Sequence, residues 1–296
     1  MGQSLRRHFE SRGHSVEVLT RSGPGGWDGK TLGPWAERLD GANVVINLAG
    51  RSVNCRYNAA NLNEMLTSRV DSTRILGEAI GQCKLPPKLW INSSTATIYA
   101  HRFDAANDDH TGILGSENDP MPPKWRASVH IAKEWERSLF EADTPKTRKV
   151  AIRSAMVMSA VPGSIFTVLA GLAKKGILGR HGSGKQYVSW IHETDFCRAI
   201  DWIIERVEVE GTINLASPNP LPQHEFAAIV RRVMGVKVGF PASNWMLEIG
   251  ALVLKTETEL ILKSRRVVPS RLLEMGFEFE FATWESAAED LARQIR

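Results

Sequence analysis

Apolar and polar positions along the chain alternate between two rhythms. Short runs rich in Val, Ile and Leu occur at Val16–Leu19, Val44–Leu48, Leu89–Ile91, Val150–Ile152 and Thr212–Leu215, too short for helices and closed by small or polar residues. Between them, apolar residues recur every three or four positions, the period of a helix with one face on a core. This spacing predicts helices over Gln3–Arg12, Asn61–Gln82, Arg126–Phe140, Ile165–Lys175, Asp195–Glu208 and Glu225–Met234. Gly13 stands where a left-handed cap would end the first, and Pro86-Pro87 follows the second. Trp27–Asp40 is expected to hold a short strand and a partial helix, and His101–Pro123 to be irregular. A loop at Gly179–Lys185 then leads into a strand at Gln186–Ile191, with Thr194 or Asp195 capping the helix after it.

Strands that alternate with helices indicate an α/β fold with a doubly wound parallel sheet. In such sheets ligands bind beyond the carboxyl ends of the strands. The Val44–Leu48 run, closed by Ala49 and Gly50, is expected to be a central strand whose small residues let a ligand approach the main chain. The Leu89–Ile91 run continues into Asn92-Ser93-Ser94-Thr95-Ala96-Thr97-Ile98-Tyr99, which gathers hydroxyl groups at a second strand end. Residues 1–155 are read as a nucleotide-binding domain and residues 156–296 as a smaller α/β domain on the substrate side.

A chain of 296 residues buries a large core without cross-links. Its three cysteines, Cys55, Cys83 and Cys197, lack metal-ligand spacing, so a reducing, cytoplasmic setting and no metal are expected. The net charge of +4 is spread among acidic residues without a long basic block, and the longest apolar stretch is too short to span a bilayer. A small-molecule substrate is therefore expected, with neither nucleic acid nor membrane as partner; no feature fixes the oligomeric state. Gly179–Gln186 almost spells a phosphate-binding loop, but Gln186 stands where a magnesium-holding Ser or Thr belongs, and a strand follows instead of a helix. It is read as a loop covering substrate or cofactor.

Four motifs together resemble the epimerase-like, atypical branch of the short-chain dehydrogenase/reductase superfamily. They are Gly-His-Ser-Val-Glu-Val-Leu-Thr-Arg (13–21), Val-Ile-Asn-Leu-Ala-Gly (45–50), Gly-Ser-Gly-Lys-Gln-Tyr-Val-Ser-Trp-Ile-His (182–192) and the tail with Arg266-Val267-Val268-Pro269 and Gly276-Phe277. The resemblance spans nearly the whole chain. It implies an extended Rossmann domain that binds NAD(P) and a C-terminal domain that closes over an unidentified substrate. Arg21 ends the second strand of that pattern, where an acidic residue would select NAD and an arginine accommodates the 2′-phosphate of NADP. NADP is therefore expected, with NAD as the alternative. Gly2, Arg21, Ser22, Asn47, Leu48, Ala49, Gly50, Ser93 and Arg153 are the candidate cofactor residues. Ser94, Thr95, Tyr99 and His192 are the candidate catalytic residues. For Arg153 a structural ion pair, and for His192 a ring satisfied by backbone, remain open.

The sequence departs from that pattern twice. Gly2 occupies the place of the last glycine of the dinucleotide fingerprint, and the first strand and earlier glycines do not precede it. The chain as written is thus expected to be N-terminally truncated, less stable for it, and a weak binder of dinucleotide. The Tyr-x-x-x-Lys pair that would supply an acid of lowered pKa is also missing; its helix reads Trp-Arg-Ala-Ser-Val-His-Ile-Ala-Lys (125–133). Two readings follow. One is an oxidoreductase or epimerase in which Ser94 or Thr95 orients substrate with Tyr99. The other is a non-catalytic Rossmann protein that senses a ligand or offers an interaction surface.

Overall fold

The computed structural model describes residues 1–296 apart from Ser22, Pro24, Gly25, Glu117, Leu254, Lys255 and Arg296. Helix α1 (Gly2–Ser11) comes first, as its apolar spacing requires, with Leu5 and Phe9 turned into the core. The expected strand at 16–19 does not form. Val16 packs against the core beneath α1, and Leu19 packs on the opposite side of the sheet, so the segment is extended. No ladder partner satisfies its backbone among the described residues, and apolar alternation alone does not make a strand. The short strand expected within Trp27–Asp40 is likewise absent there; Pro34–Leu39 forms a short 3-10 helix that buries Trp35 and Leu39.

Strand β1 (Val44–Asn47), helix α2 (Ala59–Gln82), strand β2 (Leu89–Thr95), helix α3 (Pro123–Phe140) and strand β3 (Arg148–Ser154) then build the parallel sheet. Its order is β1-β2-β3 and then β7 (Gly211–Leu215), every pair parallel. Because side chains alternate along a strand, each strand feeds two cores. Leu89, Ile91, Val150 and Ile152 face α1 and α5 (Glu193–Glu205). Trp90 and Ala151 face the other way, onto Ile75, Ala79, Ile80 and Leu139 of α2 and α3. Helices thus cover both faces of a parallel sheet, the doubly wound arrangement.

The strand Gly211–Leu215 lies well beyond residue 155 in sequence, yet it completes this sheet beside β3. The chain leaves the sheet after β3 and returns to it later. Between these visits, β4 (Met156–Met158) pairs with β6 (Trp190–His192), and β5 (Tyr187–Val188) pairs with β8 (Leu221–Pro222). Helices α4 (Ile165–Lys174), α6 (Gln223–Val233) and α10 (Trp284–Gln294) close a separate core around Trp190, Phe226 and Trp284. Helices α7 (Asn244–Val253), α8 (Glu259–Leu262) and α9 (Ser270–Glu274) lead up to α10.

Candidate functional site

The carboxyl ends of β1, β2 and β3 lie side by side, Asn47 opposite Asn92 and Ser94 opposite Arg153. Asn47 is buried, and its amide donates to Asn92 Oδ1 at 2.7 Å while its Oδ1 accepts the Ala49 backbone N–H at 3.0 Å. Thr73 Oγ1 sits within 3.3 Å of both asparagines and accepts from the Trp135 indole at 3.1 Å. The turn after β1 is therefore set from below by a buried polar network. From the side, the Arg69 guanidinium stacks on Trp135, 4.9 Å from the ring centroid, and donates to the carbonyls of Met65 and Arg51. A Cβ on Gly50 would come within 3.2 Å of that guanidinium, so a larger residue here would press Arg69 from its place against Trp135.

The start of α1 meets this turn. A Cβ built on Gly2 would lie 3.8 Å from Leu48 Cδ1, so two of the expected cofactor residues are neighbours. Among the described residues no side chain caps the first turn of α1, whose amides are open to an anion. Glu193 stands close by, accepting from Ser4 Oγ at 2.9 Å. Arg21 is exposed. Ser22, another expected cofactor residue, lies outside the described residues.

The hydroxyl-rich end of β2 divides into committed and uncommitted groups. Ser94 Oγ donates to Glu136 Oε1 at 2.6 Å, and Arg153 grips the same carboxylate through Nε at 2.8 Å and Nη2 at 2.7 Å. Arg153 also donates to Tyr99 Oη at 3.0 Å, and Tyr99 in turn donates to Asn214 Oδ1 at 2.9 Å. All five residues are buried. Burial opposes the charge on Arg153, but the bidentate carboxylate more than offsets it and holds the guanidinium ionised. Burial also raises the Tyr99 pKa, with Arg153 pulling against it, so the phenol stays protonated. Thr95 differs. It is half-buried, its Oγ1 accepts the Thr97 N–H at 3.1 Å, and its own proton has no acceptor among the described residues. Ser93 is buried, with Oγ at 3.5 Å from the Ser94 carbonyl.

His192 joins none of this. It caps α5 in place of the expected Thr194 or Asp195, its Nδ1 accepting the Thr194 N–H at 3.1 Å. Its Nε2 lies 3.4 Å from Asp290, and its ring packs on Phe281 at a centroid distance of 3.9 Å. Burial keeps the ring neutral more strongly than the nearby carboxylates charge it. Asp195 instead accepts the backbone N–H groups of Glu280 and Phe281, at 2.9 and 2.8 Å.

A cavity of about 740 Å³ opens beside the segment that follows β2, lined by His101, Phe103, Trp125, Gln186, Glu248 and Glu257 among others. His101 is the chemically informative member, and the sequence offered no pattern to single it out. Its Nδ1 accepts the Ser264 N–H at 2.9 Å, which places the proton of the neutral ring on Nε2. Burial lowers its pKa, and Lys263 and Arg265 lower it further. The loop 179–186 contributes Ser183 and Gln186 to this wall, and Ser183 and Lys185 to a neighbouring cavity of about 430 Å³. Glu136 and Asn214 also went unnoticed in sequence. Glu136 had a legible signal, since it places a charge in the apolar stripe of Trp125, Val129, Ala132 and Leu139.

Residues 1–216 match the NAD dependent epimerase/dehydratase family, and residues 242–291 match a domain of unknown function, DUF1731. The chain is 27% identical to the epimerase family protein SDR39U1 of Mus musculus over 98% of its own length and 96% of that protein's. It is 27% identical to the epimerase family protein YfhF of Bacillus subtilis, covering 98% and 94% of the two chains. Among solved structures it resembles human SDR39U1 (isoform2) crystallised with NADPH, with a TM-score of 0.85 and 25% identity over 99% of this chain and 95% of that one. A nucleoside-diphosphate sugar epimerase from Corynebacterium glutamicum shares the fold with a TM-score of 0.76 and 24% identity, over 99% of this chain and 56% of that one.

Proposed function

Because the chain belongs to the NAD dependent epimerase/dehydratase family, we propose that it is an NADP-binding, oxidoreductase- or epimerase-like protein of the atypical short-chain dehydrogenase/reductase type. The observation that carries this reading is the meeting of the uncapped α1 start with the Leu48 turn at the carboxyl edge of a parallel sheet. That edge is where such folds take dinucleotides. The full-length likeness to a protein crystallised with NADPH supports it.

The residues present fit the cofactor. The first-turn amides of α1 would receive a phosphate, Arg21 the 2′-phosphate, and the Asn47–Gly50 turn and Ser93 the remainder of the dinucleotide edge. When bound, the nicotinamide supplies hydride transfer to or from a carbonyl or carbinol carbon. Thr95 then has the spare proton with which to hold the substrate oxygen, and His101 presents an Nε2–H donor in the adjoining cavity. Ser94, Tyr99, Arg153 and Glu136 lock the strand ends beneath. Three thiols outside any disulfide support a reducing, cytoplasmic location.

A second reading has its own observation. The protons of Ser94 and Tyr99 are both given to protein acceptors, and no lysine lowers the tyrosine pKa, as expected of a protein that binds cofactor without turning substrate over. Incubating the protein with NADPH and a panel of aldehydes, ketones and sugar nucleotides separates the two. Consumption of NADPH that falls at least about tenfold in Thr95→Ala supports catalysis. Binding of NADPH with no consumption across the panel supports the sensor, and no binding overturns both.

A further inference from the structure

The charged residues look evenly mixed in the sequence, but the fold lays two acid-free segments together. Residues 174–185 carry Lys174, Lys175, Arg180 and Lys185, residues 236–247 carry Lys237, and neither contains Asp or Glu. The segments touch through backbone hydrogen bonds from Phe240 to Gly176 and from Ala242 to Arg180, each about as short as a sheet bond at 2.8 and 2.9 Å. Gly179 passes so close to the Phe240 carbonyl that a Cβ would sit 2.2 Å from the oxygen. All five cations are exposed, and none forms an ion pair among the described residues. They outnumber the net charge of the whole chain, which is +4.

Large apolar side chains stand exposed on the same two segments and on the helix that follows. Ile177 is 48% exposed, Val238 59% and Phe240 67%. On α7, Trp245, Ile249 and Leu252 recur at positions one turn and two turns apart on one face and are 67%, 55% and 64% exposed. Asn244 and Glu248 of α7 line the large cavity on an adjoining face and Ala251 is buried, so the face of Trp245, Ile249 and Leu252 is turned outward. An apolar patch of this kind marks a contact surface.

We propose that this surface docks the protein on an anionic lipid bilayer, Trp245, Phe240 and the aliphatic side chains entering the headgroup boundary and the five cations meeting acidic headgroups. Aromatic and aliphatic side chains rimmed by Lys and Arg are what such an interface selects. A second copy is disfavoured by charge, since a two-fold contact through this face sets five cations against five with Glu248 of α7 the one carboxylate on these segments. Nucleic acid is disfavoured by composition, because only Trp245 and Phe240 could stack on bases, whereas Ile177, Val238, Ile249 and Leu252 are aliphatic. The absence of a membrane-crossing helix among the described residues bears on spanning, not on surface docking. Such docking runs against the expectation of no membrane partner, and flotation decides between the two.

The test is flotation of the full chain with vesicles of phosphatidylcholine alone or mixed with phosphatidylserine, at low and high salt. Binding is expected with the mixed vesicles and at low salt. It should fall at least about tenfold in Trp245→Ser/Ile249→Ser and again in Lys174→Gln/Lys175→Gln/Lys237→Gln. Both variants change exposed residues and should keep the wild-type unfolding midpoint, and either alone suffices if the other fails to fold. No flotation with mixed vesicles overturns the proposal, as does flotation unchanged in both variants. A dimer that dissociates in Trp245→Ser/Ile249→Ser, or an oligonucleotide shift lost with the lysines, in protein that does not float, would also overturn it.

Discussion

At the scale of single residues, the five-membered network of Ser94, Tyr99, Glu136, Arg153 and Asn214 decides what the strand ends can do. Glu136→Gln leaves the Arg153 guanidinium buried without its anion, a change expected to cost about 3–5 kcal/mol in urea unfolding. Tyr99→Phe removes a hydroxyl that Arg153 and Asn214 both use and is expected to cost about 1–3 kcal/mol. An unchanged midpoint in Tyr99→Phe would show that its hydroxyl does not bind the network together. The hydroxyls of this site were legible from their clustering at one strand end, because a parallel strand places its carboxyl-terminal residues at the crevice. Which of them holds a spare proton was not legible. That depends on Glu136 and Asn214, which lie 42 and 115 residues from Ser94 and Tyr99 in sequence.

At the scale of elements, periodicity located the long helices well, since an apolar stripe such as Met65, Ile75, Leu76, Ala79 and Ile80 fits a helix better than any strand. It failed at 16–19 because a strand is defined by its partner, and alternation says nothing about whether one is present. It also gave no hint that α8 is held by buried charges. Glu259 accepts from Ser128 at 2.6 Å, while Lys263 donates to the Thr97 carbonyl at 2.7 Å and lies 3.6 Å from Glu259. Burial drives the Lys263 pKa down to about 8 and that of Glu259 up, each partly offset by the other. Glu259→Leu strands Lys263 and Arg265 without a carboxylate and is expected to lower stability by about 3–5 kcal/mol. Glu259→Leu/Lys263→Met should recover part of that loss, as measured by denaturant midpoints. A double variant no better than the single would mean that the pair is not coupled.

At the scale of the molecule, the alternation of strands and helices made the doubly wound sheet legible, because that arrangement is the main way such a sequence buries both faces. The return of Gly211–Leu215 to the first sheet was not legible, because an apolar strand reads alike in either sheet. The fold also buries the imidazoles of His181 and His192 and half-buries that of His101, and burial lowers the pKa of each. The unfolded chain takes up their protons near about pH 6.5, whereas the folded chain resists until lower pH. Stability therefore rises with pH through that window and is lost on acidification below about 6.5; His181→Gln should flatten the loss seen in urea midpoints taken from about pH 7.5 to 5.5. The central claim concerns the crevice itself and is tested most directly by calorimetric titration of wild type and Arg21→Ala with NADPH and NADH. Saturable heat with NADPH, a weaker isotherm with NADH and a narrowed difference in Arg21→Ala are the predicted results. No saturable heat with either dinucleotide, from protein with an intact unfolding transition, would contradict the account.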